Sequence, residues 1–532
     1  MPELQTPAMN LRPYQFAAVE SVYSYFGTKA GNPIVAMPTA TGKSVVIAEF
    51  CKQALTAYPD QRILVATHQK ELIEQNHQKL VDHWPQAPAG IFSASVGRRE
   101  VAPITFVGIQ TVAKKAALFG HVDLMLIDEC HLVGASQNTQ YLLFIDALKA
   151  ANPNIKVVGF TATPYRLGMG MLTEGGIFTD ICFDLTERLT FNRLIAEGYL
   201  CPLIARKTSV ELDVTEVEKQ GGEFVQKQLQ DAVDRSPITS AALKEAIAAG
   251  GDRKHWLIFA AGLEHAGHIS EMLNLMGVPC AVVSGDLPKS ERERLLLDFR
   301  LGKYRAVVNN NVLTTGFDFP GIDFIVMLRP TSSPGLWVQM LGRGTRILPG
   351  KSNCLVLDFA GNTRRLGPIN DPIIPRRKGA GGGGTAPVRI CPACNTYNHA
   401  SVRVCECCGE EFPHIIKIEA TSSFRPVIAD DLPQIVDFVV DHVAYSRHTK
   451  LGKPPSLKVT YTCGLRRFEQ WVCPEHPGYA GHKANLWWQE MGAGATPQSV
   501  DEALARESEL RKPAKIRVWI NTKHPEIMGY EL

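Results

Sequence analysis

Short runs of aliphatic and β-branched residues alternate with longer amphipathic stretches between Leu11 and Ala360. The first series of apolar runs lies at Asn32–Met37, Arg62–Thr67, Thr105–Gly108, Leu124–Asp128 and Val157–Thr161. A second series lies at His255–Ala260, Ala281–Ser284, Tyr304–Asn309, Phe324–Met327 and Cys354–Leu357, with helix-length segments such as Glu291–Phe299 between the runs. Strands that alternate with helices predict parallel sheets, and the two series predict two tandem α/β domains.

A polar stretch between Lys207 and Pro237, interrupted by Gly221-Gly222, separates the two series and predicts a domain boundary. After Asn362 the chain becomes basic and glycine-rich, which predicts a flexible linker. This linker is either a solubilising tether or a strap that contacts phosphates. The expected boundaries are 1–205 and 206–361 for the two α/β domains, 362–388 for the linker, 389–413 for a cysteine-rich segment and 414–532 for a small α+β domain.

The strand-like runs of the last segment lie at Ser456–Thr462, Arg467–Cys473 and Lys515–Ile520. Tryptophans are frequent there, and we expect most of them to pack in the core of a small domain. If one face binds nucleic acid, the alternation predicts the face with Lys515, Arg517 and Trp519. Cys463, Cys473, His476 and His482 also lie close in the sequence, but strand cysteines and surface histidines are a better interpretation than a second metal site.

Composition limits the function classes. The chain has 532 residues, 45% hydrophobic and 20% charged, which is typical of a globular protein of several domains. The formal net charge of +3 is too small to indicate nucleic-acid binding by itself. No apolar run approaches the roughly 18 residues of a membrane span, and the first residues do not resemble a signal peptide. We therefore expect a cytoplasmic protein without a membrane partner.

Five of the thirteen cysteines cluster in one short segment. Cys391 and Cys394 form one C-x2-C pair, and Cys405 and Cys408 form another after ten residues. Two such pairs supply four thiolates for a tetrahedral structural site, so the spacing predicts a zinc ribbon that binds Zn²⁺. Cys407 is a spare thiol that could replace one of the four ligands.

A candidate phosphate loop follows the first predicted strand. The segment Met37–Ser44 precedes a stretch with helical spacing, and it ends in Gly42, Lys43 and Ser44. A nucleoside triphosphate needs backbone amides at a helix N-terminus, a lysine ammonium and a hydroxyl for Mg²⁺, which this segment supplies. Met37 stands where the motif has its first glycine.

An acidic pair, Asp128-Glu129, follows the strand Leu124–Ile127. At the end of a parallel strand such a pair can hold Mg²⁺ through the aspartate and activate water through the glutamate. The alternative is an ordinary helix N-cap. Together with the phosphate loop, the pair predicts ATP binding and hydrolysis with Mg²⁺.

The order of these motifs resembles that of superfamily 2 helicases of the DEAD/DEAH-box type, here with the spelling DECH. The matching segments are Leu11–Gln15, Met37–Ser44, Leu64–His68, Gly108–Thr111, Asp128–His131, Thr161–Pro164, Ile258–Ala260, Leu313–Asp318 and Gln339–Arg346. The resemblance covers about Leu11 to Ala360 and implies two tandem RecA-like P-loop NTPase domains.

The resemblance also implies roles for individual residues. The nucleotide would contact Arg12, Gln15, Thr39, Ala40, Thr41, Gly42, Lys43, Ser44, Gly316 and Asp318. Catalysis would involve Lys43, Asp128, Glu129 and two arginine fingers, Arg343 and Arg346, and Mg²⁺ would be held by Ser44 and Asp128. Nucleic-acid contact or coupling would involve Thr67, Gln110, Thr111, His131, Thr161, Thr163, Thr315 and Gln339. For any single threonine, strand propensity is the alternative.

Longer strings such as Thr161–Gly168 and Leu357–Asn362 resemble RadD-type proteins, bacterial and phage helicase-like ATPases of DNA repair. This implies DNA as the partner, with single-strand-binding or recombination proteins as further partners, in a bacterial cytoplasm. A duplex translocase or restriction-type motor, a partner-gated ATPase module and an RNA helicase remain as alternatives.

Overall fold

The computed structural model describes residues 11–133, 139–166, 170–206, 208–220, 223–314, 316–374, 388–390, 397–399, 433–450, 453–464, 466–476, 479–492, 494–522 and 524–532. Residues Ala36, Asp128 and Thr161, which end three strands of one sheet, lie at the same edge of that sheet. Two lobes and a third, smaller unit make up the described chain. No described helix is both long enough and apolar enough to cross a membrane.

The first lobe is built on a sheet of eight strands. Its elements are α1 (Pro13–Thr28), β1 (Pro33–Ala36), α2 (Lys43–Ala57), β2 (Ile63–Thr67), α3 (Lys70–His83), β3 (Ala89–Ser93), β4 (Arg98–Arg99), β5 (Ile104–Gly108), α4 (Ile109–Val112), β6 (Leu124–Asp128), α5 (Gln140–Ala151), β7 (Lys156–Thr161), β8 (Tyr165–Arg166), β9 (Gly170–Met171), β10 (Asp180–Asp184) and α6 (Arg188–Ala196). The strand order is β10-β1-β7-β6-β2-β5-β3-β4, and only β4 runs antiparallel to its neighbour. Helices cover both faces, so the central strands are buried and appear as continuous apolar runs.

The second lobe is a six-stranded parallel sheet with its own helices. Its elements are β11 (Leu203–Ala205), β12 (Lys219–Gln220), β13 (Glu223–Phe224), α7 (Gln226–Val233), α8 (Ser236–Ala249), β14 (Trp256–Ala260), α9 (Leu263–Leu275), β15 (Cys280–Val283), α10 (Lys289–Arg300), β16 (Ala306–Asn309), β17 (Phe324–Leu328), α11 (Pro334–Leu341), β18 (Cys354–Asp358) and α12 (Asn362–Leu366). The strand order is β11-β18-β17-β14-β16-β15. Because β11 pairs with β18, the second lobe begins before the expected boundary between residues 205 and 206.

After α12 the chain returns to the first lobe. The side-chain amide of Asn370 donates to the side-chain oxygen of Asn192 at 2.7 Å, and Asp371 lies 3.7 Å from Arg188 in an ion pair. The segment 367–374, which lies within the expected linker 362–388, therefore contacts the first lobe directly after the last helix of the second lobe.

The third unit follows the cysteine-rich segment. Its elements, after a short hairpin of β19 (Val388–Ile390) and β20 (Tyr397–His399), are β21 (Ile435–Val439), β22 (His442–His448), β23 (Ser456–Cys463), β24 (Arg466–Val472), α13 (Tyr479–Met491), α14 (Val500–Ala505), β25 (Lys515–Trp519) and β26 (Glu526–Glu531). Two three-stranded antiparallel sheets, β21-β25-β26 and β22-β23-β24, enclose a core with α13 and α14. Trp487 and Trp488 are buried in this core, as expected of aromatic residues in a small unit.

The face predicted for nucleic acid in this unit is not suited to it. Trp519 is buried, and its indole donates to Asn521. Lys515 and Arg517 pair with Glu531 and Asp437, so their charges are compensated. The alternation along the strand correctly predicts that Lys515, Arg517 and Trp519 share one face, but the packing of the unit buries the Trp519 ring.

The third unit packs on the first lobe through α13 and α1. The rings of Phe16 and His482 stack with centroids 4.5 Å apart, and Glu526 lies 3.8 Å from Arg193 of α6. His482 therefore contacts an aromatic ring of the first lobe, and the described residues contain no group of three side chains suited to a metal.

Candidate active site

The phosphate loop connects β1 to α2 at the carboxyl edge of the first sheet. Gly42 precedes the helix with φ of +82°, and a Cβ atom there would lie 2.5 Å from Nε2 of Gln15. Ala40 also has positive φ, at 71°. Met37, at the position of the missing glycine, is buried in the core, and its amide donates to the Thr161 carbonyl at 2.9 Å. The departure from the motif thus adds apolar packing and leaves the backbone around Gly42 free to approach a ligand.

Lys43 and the acidic pair lie close together. The Lys43 ammonium is 3.8 Å from a carboxylate oxygen of Glu129 and 3.5 Å from the Met37 carbonyl. Asp128 accepts from the Asn76 amide at 2.8 Å and from the Glu129 amide at 2.9 Å. Glu129 has a left-handed backbone, with φ of 51°, which is strained for a residue with a side chain and typical of functional sites.

The two acids have opposite environments. Burial, with the neighbouring Glu129 charge, raises the pKa of Asp128. Burial also acts on Glu129, but Lys43, His131 and Arg343 outweigh it and hold its pKa at about 2. Glu129 is therefore a carboxylate at neutral pH, as a residue that accepts a proton from water must be.

His131 connects three motifs. Its Nδ1 lies 3.0 Å from the Thr161 hydroxyl and 3.4 Å from Glu129, and its Nε2 lies 3.2 Å from the amide nitrogen of Gln339 in the second lobe. Because the amide nitrogen of Gln339 can only donate, Nε2 of His131 is the acceptor in this contact. The proton of the imidazole ring is then on Nδ1. The structure thus brings together His131, Thr161 and Gln339, three of the predicted coupling residues, in a contact between the lobes.

Arg343 and Arg346 lie across the cleft from the phosphate loop. The buried Arg343 guanidinium donates to the carbonyls of Thr314 and Phe317, and Arg346 pairs with Asp318 at 2.6 Å. Both arginines and Asp318 are therefore held by partners in their own lobe. A cavity of about 290 Å³ is lined by Lys43, Ser44, Asp128, Glu129, Arg343 and Arg346, together with Arg12, Thr39, Ala40, Gly42, Gly316 and Asp318.

The predicted base-reading residues are engaged with the protein. The Gln15 amide donates to the Thr41 carbonyl at 2.9 Å, and its oxygen accepts from the Arg12 amide at 2.9 Å. The Tyr14 hydroxyl donates to the same Thr41 carbonyl. In this conformation Gln15 supports the phosphate loop, and its role in reading the base stays a prediction.

The residues predicted to contact nucleic acid are placed differently from one another. Thr67 and Thr163 are buried, and their hydroxyls have no hydrogen-bond partner in the described part of the chain. The assignment of Thr67 and Thr163 to nucleic-acid contact or coupling therefore stays a prediction. The Thr111 hydroxyl accepts from the Ala94 amide, while Gln110 is exposed and donates to the His68 carbonyl.

Some predicted residues lie outside the described residues. These are Thr315, Cys407 and the four proposed zinc ligands Cys391, Cys394, Cys405 and Cys408.

Two site residues escaped the sequence interpretation. Asn76 of α3 donates to Asp128, and Arg166 donates to the His131 carbonyl at 2.9 Å. Arg166 does stand next to the Thr161–Pro164 motif, which is a signal that could have drawn attention to it. Asn76 has no local signal, because it reaches Asp128 only after α3 packs on the sheet.

Two family profiles match the lobes. Residues 8–166 match "Type III restriction enzyme, res subunit", and residues 240–348 match "Helicase conserved C-terminal domain". These matches fall on the first and second lobe respectively, and they include the phosphate loop and both arginines of the cleft.

Three relatives span most of the two lobes. The irc3 protein of Schizosaccharomyces pombe, named as a mitochondrial ATP-dependent helicase, is 28% identical over 378 residues, which is 69% of this chain and 60% of that protein. IRC3 of Saccharomyces cerevisiae, named as an ATP-dependent helicase, is 24% identical over 68% of this chain and 53% of its own length. A 51.5 kDa protein of a Lactococcus phage is 25% identical over 71% of this chain and 78% of its length. The chain thus spans little more than half the length of the two yeast relatives.

Solved structures share the fold at low identity. A fragment described as an HsdR subunit of a type I restriction enzyme from Vibrio vulnificus superposes with a TM-score of 0.51 at 19% identity, over 68% of this chain and 67% of that chain. The type ISP restriction-modification enzyme LlaBIII, bound to DNA, gives 0.50 at 15% identity, over 67% and 28%. The family matches and the yeast relatives support a superfamily 2 DEAD/DEAH-like helicase core in the two lobes. Its core is that of an NTP-hydrolysing enzyme.

Proposed function

We propose that this chain is an ATP-dependent DNA motor that acts in DNA repair, recombination or replication. The observation that carries the proposal is the cavity between the lobes, which joins Lys43, Asp128 and Glu129 to Arg343 and Arg346. Since the two halves of this site come from different lobes, ATP binding would favour their closure, and hydrolysis would release it. A motor needs such a cycle.

The chain's own residues have distinct tasks in this cycle. Lys43 and the amides at the start of α2 bind the phosphates, and Ser44 and Asp128 would hold Mg²⁺, which neutralises phosphate charge when bound. Glu129 orients the attacking water and accepts its proton. Arg343 and Arg346 stabilise the charge on the transferred phosphoryl group. To do so, Arg346 leaves its ion pair with Asp318 and contacts the nucleotide.

Resemblance to RadD-type proteins and to restriction-enzyme motors supports DNA as the substrate. The alternative of a duplex translocase that does not separate strands is favoured by one observation, the match of residues 8–166 to the res subunit family. An RNA helicase and a partner-gated ATPase module have no comparable support. Single-strand-binding or recombination proteins are the partners we expect, in the cytoplasm of a bacterium or of a phage-infected cell.

We further propose a structural Zn²⁺ at the two cysteine pairs. The strands β19 and β20 pair antiparallel, with Ile390 opposite Tyr397, and the chain between them carries Cys391 and Cys394. A hairpin with a C-x2-C pair in its connection is how zinc ribbons present two of their four thiolates.

The test of the motor is steady-state ATP hydrolysis by the wild type and Glu129→Gln, each alone and with single-stranded DNA, duplex DNA or RNA. Stimulation by DNA that is lost in Glu129→Gln is the expected result. Stimulation only by duplex DNA, without strand separation in an unwinding assay, would select the translocase. Hydrolysis that depends on Glu129 but ignores every nucleic acid would refute the DNA motor.

A further inference from the structure

One sheet face of the third unit is covered by no helix or strand among the described residues, and its composition is unusual. It is the outer face of β22-β23-β24, whose inner face packs on the core with Leu457, Val459, Tyr461 and Phe468. Because side chains alternate along a strand, the outer face carries His442, Ala444, Ser446, His448, Lys458, Thr460, Thr462, Arg467, Glu469 and Trp471. Ala444 is the only aliphatic residue among them, so this face is not suited to a buried apolar interface.

Trp471 is the prominent residue of this face. Its side chain is 48% exposed, whereas Trp487, Trp488 and Trp519 of the same unit are buried. The His448 ring lies beside it, with centroids 6.0 Å apart, and Lys458 is its direct partner across the strands. An exposed indole next to a second ring and a cation is a surface on which a nucleobase can stack.

Cations lie on this face and in the connection at one end of it. The β22–β23 connection carries the exposed Lys450 and Lys453 and no acid, and the outer face adds Lys458 and Arg467. The one carboxylate on the outer face is Glu469, which pairs with Lys458 at 2.7 Å. By contrast, residues 416–532 as a whole carry 15 Lys or Arg and 14 Asp or Glu. The positive charge is therefore concentrated at this face.

We propose that this face, which we call the Trp471 face, binds single-stranded nucleic acid. A base stacks on Trp471 beside the His448 ring, Lys450 and Lys453 contact phosphates, and the Thr460 and Thr462 hydroxyls supply hydrogen bonds to the nucleic-acid backbone. Recognition is sequence-tolerant, because each contact is with a ring face or a phosphate. The face is separate from the lobes, so it holds or captures a strand independently of the ATP cycle.

The test uses the full chain and a fluorescent thymidine oligonucleotide, with affinity measured by anisotropy. Trp471→Ala should weaken binding by about five- to one-hundredfold, the range for loss of one stacked base, and Trp471→Phe should restore most of it. Lys450→Gln with Lys453→Gln should weaken binding and reduce its salt dependence. The matched control, Arg517→Gln, removes a cation from the other sheet and should bind like the wild type, since Asp437 already compensates that charge.

Cross-linking with an iododeoxyuridine oligonucleotide separates this face from the lobes. A cross-link on the peptide that contains Trp471 is expected. Cross-links confined to residues 11–374, or wild-type affinity in Trp471→Ala, would overturn the proposal. The proposal would also be overturned if an acidic decapeptide bound in a Trp471-dependent way while binding of the oligonucleotide did not depend on Trp471. The partner of this face would then be a protein. The absence of DNA-stimulated ATP hydrolysis would refute the proposed motor. It would not change whether the oligonucleotide binds the Trp471 face.

Discussion

At Gly342 the second lobe packs tightly against the phosphate loop of the first lobe. A Cβ atom at this position would overlap the hydroxyl and Cβ of Thr39 in the phosphate loop. We predict that Gly342→Ala prevents full closure of the cleft and lowers kcat/KM for ATP at least tenfold, or about 1.4 kcal/mol. Steady-state kinetics of the purified variant measure this effect.

Gly335 offers a matched control near the start of α11, the helix that ends just before Gly342. A Cβ atom there would lie 3.7 Å from the Thr163 hydroxyl, which is an ordinary contact. Gly335→Ala should therefore keep kcat/KM within a factor of about three. Equal kinetics for the two variants would mean that the contact between Gly342 and Thr39 is not part of the active conformation.

The contact between His131 and Gln339 predicts a coupled pair. We expect His131→Ala and Gln339→Ala each to reduce nucleic-acid-stimulated hydrolysis, because each removes the same link between the lobes. In the double variant the loss of transition-state stabilisation should be smaller than the sum of the two single losses by about 0.5–3 kcal/mol, the range for residues in contact. The measurement is kcat/KM for the four proteins of the cycle.

Gln110 provides the comparison for this cycle. It is exposed and donates to the His68 carbonyl, and no hydrogen bond joins it to His131 among the described residues. His131→Ala and Gln110→Ala should therefore be additive within about 0.5 kcal/mol. Additivity of His131 with Gln339 as well would show that the observed hydrogen bond does not couple the lobes during turnover.

At the scale of elements, α1 connects the third unit to the nucleotide site. Phe16 stacks on His482 of α13, while the preceding Gln15 and Tyr14 bond the Thr41 carbonyl of the phosphate loop. We predict that Phe16→Ala loosens α13 from the first lobe and increases amide hydrogen exchange in Tyr479–Met491. The KM for ATP should rise modestly, since the phosphate loop loses part of its support.

The same helix supplies the control. Phe26 lies near the end of α1 and contacts Tyr25 and Lys156 of the first lobe. Phe26→Ala removes a similar apolar area without touching α13, so exchange in α13 should stay at the wild-type level. If both variants increase exchange in α13, general loosening of α1 would be the cause, and the stacking with His482 would have no special role.

Individual elements show how far the sequence pattern determines the fold. The strand Leu124–Asp128 has the predicted bounds, and the other parallel strands that the pattern predicted differ by one or two residues, because burial on both faces requires a continuous apolar run. The buried parallel strand β3 was not predicted. The edge strand Asp180–Asp184 was missed, since it is only half-buried and begins and ends in an aspartate. The short β11 was missed too, because its three residues carry no period.

The site divides in the same way. Gly42, Lys43, Ser44 and the pair Asp128-Glu129 were predictable, because each motif is contiguous and its chemistry is local. The contact between His131 and Gln339 joins residues 208 positions apart, and no single-sequence pattern encodes the distance. The burial of Thr67 and Thr163 likewise depends on packing around the strand ends, which propensity does not describe.

At the scale of the whole molecule, the chain leaves the ATPase lobes at their junction. The segment 367–374 is anchored in the first lobe by Asn370 and Asp371, and the Gly367 carbonyl accepts from the Trp337 indole of α11 at 3.0 Å. The connection to the cysteine-rich segment thus starts at the junction of the lobes, while the third unit packs on α1. Closure of the lobes would move both ends of this connection together.

This arrangement predicts that zinc and ATP hydrolysis are separable. Because the proposed ligands lie beyond the lobes in the chain, Cys391→Ser with Cys394→Ser should remove one zinc ion per chain, measured by inductively coupled plasma mass spectrometry, and leave hydrolysis without nucleic acid intact. The control, Cys463→Ser with Cys473→Ser, changes two thiols of the third unit that have no metal cluster around them in the described chain, and it should retain the zinc. Zinc retained by the first variant would assign the metal to other ligands. Loss of zinc together with basal hydrolysis would instead mean that the ribbon is part of the ATPase structure.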